Sequence, residues 1–346
     1  MPRAPFELGG TRVAPGQRAT VDLPVSVMSD HTPVTLSIHV VHGRRPGPVL
    51  FVSAAIHGDE IIGVEIVRRL LRARPLARMA GTLIAVPIVN SFGFLGRSRY
   101  LPDRRDLNRA FPGSGSGSLA ARLANLFMAE IVDRADLGID LHSAAIHRTN
   151  LPQIRVSAGN DRARGLATAF GAPVVLTSGL REGSLRAAAE ARGTDVLLFE
   201  AGEGLRFDEG SARAGVTGIL RVMRALGMIP SRAVAPPRVE PLHCPASSWL
   251  RAPAGGLLRS FRSVGDIVRA GQTVGIVSDP FGEVETGIDA ASTGIIVGRT
   301  NLPVVNEGDA LFHVAEIPSP AQAEAALDHL TEFPDGDSLS DEGEII

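Results

Sequence analysis

Val49-Leu-Phe-Val-Ser-Ala-Ala-Ile56, followed at once by His57-Gly58-Asp59-Glu60, is the stretch on which the fold turns. Its first eight residues carry no charge and no alternation, so both faces must be buried. That suits a strand whose sheet has helices packed on either side. Gly47-Pro48 punctuates its start. After Glu60 the apolar positions from Ile61 to Leu71 recur at helical spacing. A second apolar run, Gly81–Pro87, predicts another strand, and Asn90 to Ser118 reads as a long irregular segment ending in Gly-Ser repeats. Ser118 then caps a helix through about Val132. Strands are expected at Leu137–Leu141, Val174–Thr177 and Val196–Glu200, and a closing helix at Val216–Leu226. Upstream, the alternation in Val34-Thr-Leu-Ser-Ile-His-Val-Val41 marks edge strands. Strands alternating with helices predict an α/β domain over residues 1–227, a mixed, mainly parallel sheet sandwiched by helices.

Residues 228–247 hold five prolines and read as a linker. Beyond it the pattern changes to short β runs over residues 248–316, with an internal repeat. Gly256-Leu-Leu…Ala270-Gly271-Gln-Thr-Val-Gly-Ile-Val277 matches Gly294-Ile-Ile…Glu307-Gly308-Asp-Ala-Leu-Phe-His-Val314. Two similar β units predict a small all-β, barrel-sandwich-type domain with pseudo-two-fold symmetry. Residues 317–346 are acidic and are expected to be a disordered tail.

Composition narrows the function. The chain has 346 residues and a single cysteine, Cys244, which excludes a disulfide framework and cysteine-based zinc fingers. All 35 basic residues are arginine. Without lysine there is no Schiff base, no P-loop lysine and no attachment point for biotin or lipoate. Residues 300–346 hold 11 of the 37 acids and no arginine, so residues 1–299 carry 35 arginines against 26 acids, a net +9. A basic body suits a small anionic substrate. Few aromatics and no basic run longer than Arg104-Arg105 speak against nucleic acid. No apolar run spans a membrane, and the first residues lack a secretory layout, so the cytoplasm is the expected compartment.

His57-x-x-Glu60 carries the chemistry. A strand that stops at His57 leaves it at the carboxyl edge of the sheet, where open α/β sheets bind ligands. On a following helical turn, positions i and i+3 share a face, so imidazole and carboxylate can reach one metal ion. The strand Leu137–Leu141 delivers His142 to the same edge. Two nitrogens and one carboxylate, with a position left for water, is the pattern of a catalytic zinc site. Asp140 is placed to orient a ligand imidazole, and Asp59 is a second such candidate. Glu200 ends the strand Asp195–Glu200 at the same edge, where a base could take the proton of an attacking water. Its apolar approach, Val196-Leu-Leu-Phe199, predicts apolar surroundings for that carboxyl. The other histidines (His31, His39, His42, His147, His243, His313 and His329) read as structural or solvated. Between these elements lies an arginine-dense loop, Arg97-Ser-Arg-Tyr-Leu-Pro-Asp-Arg-Arg-Asp-Leu-Asn-Arg109, and arginine's planar fork matches a carboxylate.

In their order, His57-Gly-Asp-Glu60, Arg99-Tyr100-Leu-Pro-Asp, Asp106-Leu-Asn-Arg109, Asp140-Leu-His142 and the strand-end Glu200 resemble the succinylglutamate desuccinylase/aspartoacylase family of the zinc carboxypeptidase-like superfamily. The resemblance covers roughly residues 45–205. It implies one zinc per chain held by His57, Glu60 and His142, with Glu200 as general base. It also implies that Arg99 polarises the scissile carbonyl and that Asn108 and Arg109 hold the substrate carboxylate. The family's layout, a catalytic α/β domain followed by a small β domain, is the expected one. Tyr100 is the only tyrosine, so the C-terminal domain cannot supply the tyrosine that contacts substrate in aspartoacylase. That domain is expected to cover the cleft or to mediate a homo-oligomer.

Three functions compete at this level. The first is a zinc amidohydrolase releasing the acyl group of a small N-acyl amino acid or related N-acyl amine. The second is a zinc carboxypeptidase acting on short peptides. The third is a non-catalytic metal- or ligand-binding protein, for which Glu200 would have no use.

Overall fold

The structure, a computed structural model, describes residues 3–318. The expected tail falls almost wholly outside these residues. Thirteen strands form one sheet. From one edge ten of them run Gln17–Val27, Pro33–His42, Ala80–Val86, Arg45–Ala54, Leu137–His142, Asp195–Gly202, Arg148–Val156, Gly294–Thr300, Ala310–Glu316 and Ser247–Arg251, while Val174–Thr177, Leu242–Cys244 and Ile267–Val268 pair off this path. The four strands from Ala80–Val86 to Asp195–Gly202 are mutually parallel, and their neighbours on both sides are antiparallel. The architecture is therefore mixed α/β with a largely parallel centre, followed by antiparallel β structure.

Arg45–Ala54 shows why an unbroken apolar run was needed. Leu50, Val52 and Ala54 enter one core with helices Ile62–Leu70, Asp161–Phe170 and Glu209–Ala225. Phe51 enters the opposite core with helix Leu119–Glu130, where it meets Phe127 edge to face. Each such large side chain contributes roughly 1.5–3 kcal/mol by leaving water. Ser118 caps its helix as expected, its hydroxyl accepting from the Ala121 N–H at 3.2 Å.

Several elements depart from the sequence reading. The closing helix starts at Glu209, seven residues early, with Asp208 as its cap; Gly210, Gly215 and Gly218 obscure its helical pattern. The irregular segment contains a short helix, Ser91–Gly96. Strand Arg148–Val156 and helices Asp161–Phe170 and Leu185–Glu190 were not anticipated. The proline-rich stretch is tied to the body: Met228 and Ile229 lie in the main core, and Leu242–Cys244 pairs with Val174–Thr177.

The repeated β units form two antiparallel pairs, Gly256–Ser260 with Thr273–Ser278 and Gly294–Thr300 with Ala310–Glu316. The first pair belongs to a separate four-stranded sheet. The second continues the large sheet, because Gly298, Arg299 and Thr300 pair with Asn150, Thr149 and Arg148. Val174, Leu176, Cys244, Ile295, Val297 and Ala315 form a small apolar core across this junction. Among the described residues no helix is long and apolar enough to cross a membrane.

Candidate active site

Strand Arg45–Ala54 ends in Ala55, whose left-handed backbone (φ 52°) turns the chain out of the sheet before His57. Gly58 follows because a Cβ there would fall within 1.9–2.4 Å of the Gly93–Phe94 backbone. The turn brings His57 and Glu60 against His142, the last residue of the neighbouring strand, and the three side chains are buried. Their ligand atoms lie within 4.8 Å of one another. Both imidazoles aim Nδ1 at Glu60, His57 at Oε1 and His142 at Oε2, each at 2.7 Å.

The far side of each ring is held by another carboxylate. His142 Nε2 lies 2.7 Å from Asp140, which is fixed by the Ser53 hydroxyl at 2.8 Å. His57 Nε2 lies 3.0 Å from Asp106. Burial works against charge on both imidazoles, yet the flanking carboxylates outweigh it and raise both pKa values. Burial likewise opposes the Glu60 carboxylate, and the two imidazoles lower its pKa in spite of it. The donor set fits a divalent metal. With each Nε2–H given to a carboxylate, each Nδ1 presents a lone pair toward Glu60, the arrangement that orients metal-binding histidines.

Asp140 thus sits where its spacing suggested. Asp59 does not: its side chain reaches neither imidazole, and its buried Oδ1 has no hydrogen-bond partner among the described residues. Burial, then Glu60, raises its pKa. It is Asp106, from the Asp106–Arg109 motif, that stands against the His57 ring instead. Asp106 also accepts from the Asn108 N–H at 2.9 Å and from Arg99 at 3.2 Å, while Arg99 reaches Glu60 at 3.0 Å. Burial favours a neutral Asp106, and His57 and Arg99 reverse that and lower its pKa.

Glu200 stands in register with His142 on the adjacent parallel strand. Its surroundings are polar, contrary to the apolar approach. Strand alternation sends Leu197 and Phe199 into the core behind the sheet. On the cavity side Glu200 meets Asn150, which donates to Oε2 at 2.8 Å, and Arg155 at 3.6 Å. Asn108 and Arg109 reach the same cavity. The Asn108 side-chain Oδ1 accepts from the Leu185 N–H at 2.9 Å, which anchors the side chain.

His57, Glu60, Arg99, Asn108, Arg109, His142, Asn150 and Glu200 line one cavity of about 480 Å³. The cavity also takes in Arg148, Arg155, Arg181 and Arg186, none of which the sequence reading singled out. Arg186 is only 7 % exposed, and burial pulls its pKa down to about 10. Ser247, Trp249 and His313 bring the C-terminal β structure into the wall. His313, read from sequence as structural or solvated, stacks on Trp249 at 4.7 Å and bonds Ser247 at 2.8 Å. Burial, then Arg155 and Arg181, pushes its pKa down to about 3.

Residues 46–226, just over half of the chain, match the succinylglutamate desuccinylase/aspartoacylase catalytic domain. Over 313 residues the chain is 26% identical to the N-alpha-acetyl-L-2,4-diaminobutyric acid deacetylase of Halomonas elongata, covering 87% of this chain and 92% of that one. Its fold is similar to the crystal structure of a succinylglutamate desuccinylase/aspartoacylase from Rhodobacter sphaeroides (TM-score 0.77, 26% identity, 87% of this chain and 96% of that one). It is also similar to the product-bound ectoine utilization protein EutE (DoeB) of Ruegeria pomeroyi (TM-score 0.77, 23% identity, 87% and 94%). With the match reaching from strand Arg45–Ala54 to the closing helix, the chain belongs to the succinylglutamate desuccinylase/aspartoacylase family.

Proposed function

We propose that this protein is a zinc-dependent deacylase that hydrolyses the amide bond of a small, anionic N-acyl amino acid or related N-acyl amine. The observation that carries this reading is the buried His57–Glu60–His142 cluster, whose imidazoles are each backed by a carboxylate, with Glu200 on the adjacent strand. Zinc held by those three residues would supply Lewis acidity and lower the pKa of water at the site.

Glu200 would accept the proton of the attacking water and return it to the leaving nitrogen. Arg99, beside Glu60, would stabilise negative charge developing on the carbonyl oxygen. Asn108 and Arg109 would hold the carboxylate next to the scissile amide. The concentration of arginines around the cavity supports an anionic substrate and opposes a cationic one. Trp249, Ser247 and His313 in the cavity wall support a C-terminal β structure that restricts substrate length. A cavity of about 480 Å³ also suits a small molecule.

The test combines metal analysis with a substrate series. About one zinc per chain is expected, and His142→Ala should abolish both metal retention and turnover. Rates should be measured for one amino acid bearing acetyl, succinyl, aminoacyl and tripeptidyl caps. Hydrolysis confined to the short acyl caps supports the proposal, whereas rates that hold or rise with peptide length would favour a carboxypeptidase.

A further inference from the structure

Glu200 is steered from the junction between the two β systems. Its Oε2 accepts from Asn150 Nδ2 at 2.8 Å, and Asn150 is itself buried. Asn150 lies on strand Arg148–Val156 beside a register shift, between the pairs Glu200↔Gln153 and Gly202↔Asn150. Such a bulge re-aims a side chain out of the regular ladder. On its other side, Asn150 pairs with Gly298 of the C-terminal β structure. A Cβ at Gly298 would stand 2.6 Å from Asn150 Oδ1, well inside contact distance, while its next neighbours lie at 3.5 Å. The missing side chain therefore leaves the space in which the Asn150 amide sits while donating to Glu200.

We infer that Asn150 is a positioning residue for Glu200, and that Gly298 of the C-terminal β structure keeps it in place. This rests on the reading of Glu200 as the base. A carboxylate oxygen held by a fixed N–H donor keeps one rotamer, leaving its other oxygen for the water proton. Arg155, at 3.6 Å, is too distant to fix that geometry by hydrogen bonding. The C-terminal β structure thereby has a second task beside walling the cavity. Its register against Arg148–Val156 sets where the proton acceptor stands.

Four zinc-loaded variants test this: Asn150→Ala, Gly298→Ala, their double variant, and Asn150→Ala in a Glu200→Gln background. Asn150→Ala should lower kcat about tenfold or more with KM nearly unchanged, the cost of a hydrogen bond to a charged group. Gly298→Ala should fold, since the atom it displaces ends a side chain, and should lower kcat similarly. The double variant should be no worse than the worse single one, and Asn150→Ala should cost nothing further once Glu200 is Gln. Multiplicative losses in the double variant, or a fall expressed in KM alone, would overturn the inference. Denaturation midpoints for Asn150→Ala, Glu200→Ala and both together supply a readout without turnover. If the wild type hydrolyses no N-acyl amino acid, the functional reading fails on its own. Asn150 and Glu200 should still be energetically coupled, and additive midpoints would overturn the placement itself.

Discussion

The cavity has two walls that treat charge in opposite ways. On the metal-site wall every imidazole nitrogen of His57 and His142 faces a carboxylate oxygen within 3.0 Å. On the opposite wall Arg155 Nε, Arg186 Nη1 and His313 Nδ1 are buried with no hydrogen-bond partner among the described residues. Among those residues Arg186 also lacks a carboxylate within ion-pair distance, and its contacts are the Ser178 hydroxyl and the Ser178 and Gly179 carbonyls. A buried cation without a counter-ion is costly. In the first wall each imidazole is matched by carboxylates. In the second, buried nitrogens are left without partners among the described residues, which accords with the proposed anionic substrate.

The contrast can be broken most sharply at Glu200, where the walls meet. Glu200→Gln should retain zinc but lose about 10²–10⁴-fold in kcat; a zinc-loaded variant with near-wild-type rates would transfer the base to another residue. The next effect lies in the arginine wall. Arg186→Met should weaken binding of an anionic substrate by roughly 2–5 kcal/mol. Carboxylates that raise the wild-type melting temperature should leave the variant's unchanged, and equal protection of both would show that Arg186 does not receive the anion.

A smaller effect is expected behind the metal site. Asp106→Asn should lower zinc affinity about 10–100-fold by releasing the His57 ring, read by competition with a chelator. The parallel Asp59→Asn change should do little, and the reverse ranking would restore Asp59 to the role its position suggested. The smallest effect is on the outer surface and checks that balanced charge there is weak. Hydrogen bonding from Arg68, offset by partial burial and aided by Arg69, draws the Glu65 pKa from 4.5 to about 2. A depressed carboxylate stabilises the fold above its unfolded pKa and loses that contribution as pH falls through the folded one. Between about pH 4.5 and 2 the wild type should therefore lose more stability than Glu65→Gln. Solvent screening limits the difference to under about 1 kcal/mol, which urea midpoints across that range would measure.

What could be read from the sequence follows from how local each signal is. Val49–Ile56, buried on both sides, needed no partner to be recognised, and the strands leading to His57 and His142 placed both at one sheet edge, with Glu60 three residues beyond His57. Strand Arg148–Val156 was hidden because it contains Pro152 and turns Arg148, Asn150 and Arg155 toward the cavity, so its apolar pattern is broken where it bulges. Pro is tolerated at such places because the ladder is already interrupted. Glu200 stands at the sheet edge where its strand ends, but in polar surroundings, since Leu197 and Phe199 face away from it. His313 and Trp249 join the site only through pairing across the sheet, between Ser247–Arg251 and Ala310–Glu316. No local pattern encodes which strand will lie beside which. Asp106 lay within a quoted motif, and its task depends on a contact with His57, 49 residues away.

The pairing of Gly298–Thr300 with Arg148–Asn150 also bears on how the chain can be cut. Removing the C-terminal β structure would strip one edge of Arg148–Val156 and uncover Val174 and Leu176. A bare edge beside exposed apolar side chains is a template for association with other chains. A truncated protein ending near residue 240 should therefore aggregate rather than behave as a minimal domain, and the intact chain should unfold in a single cooperative step.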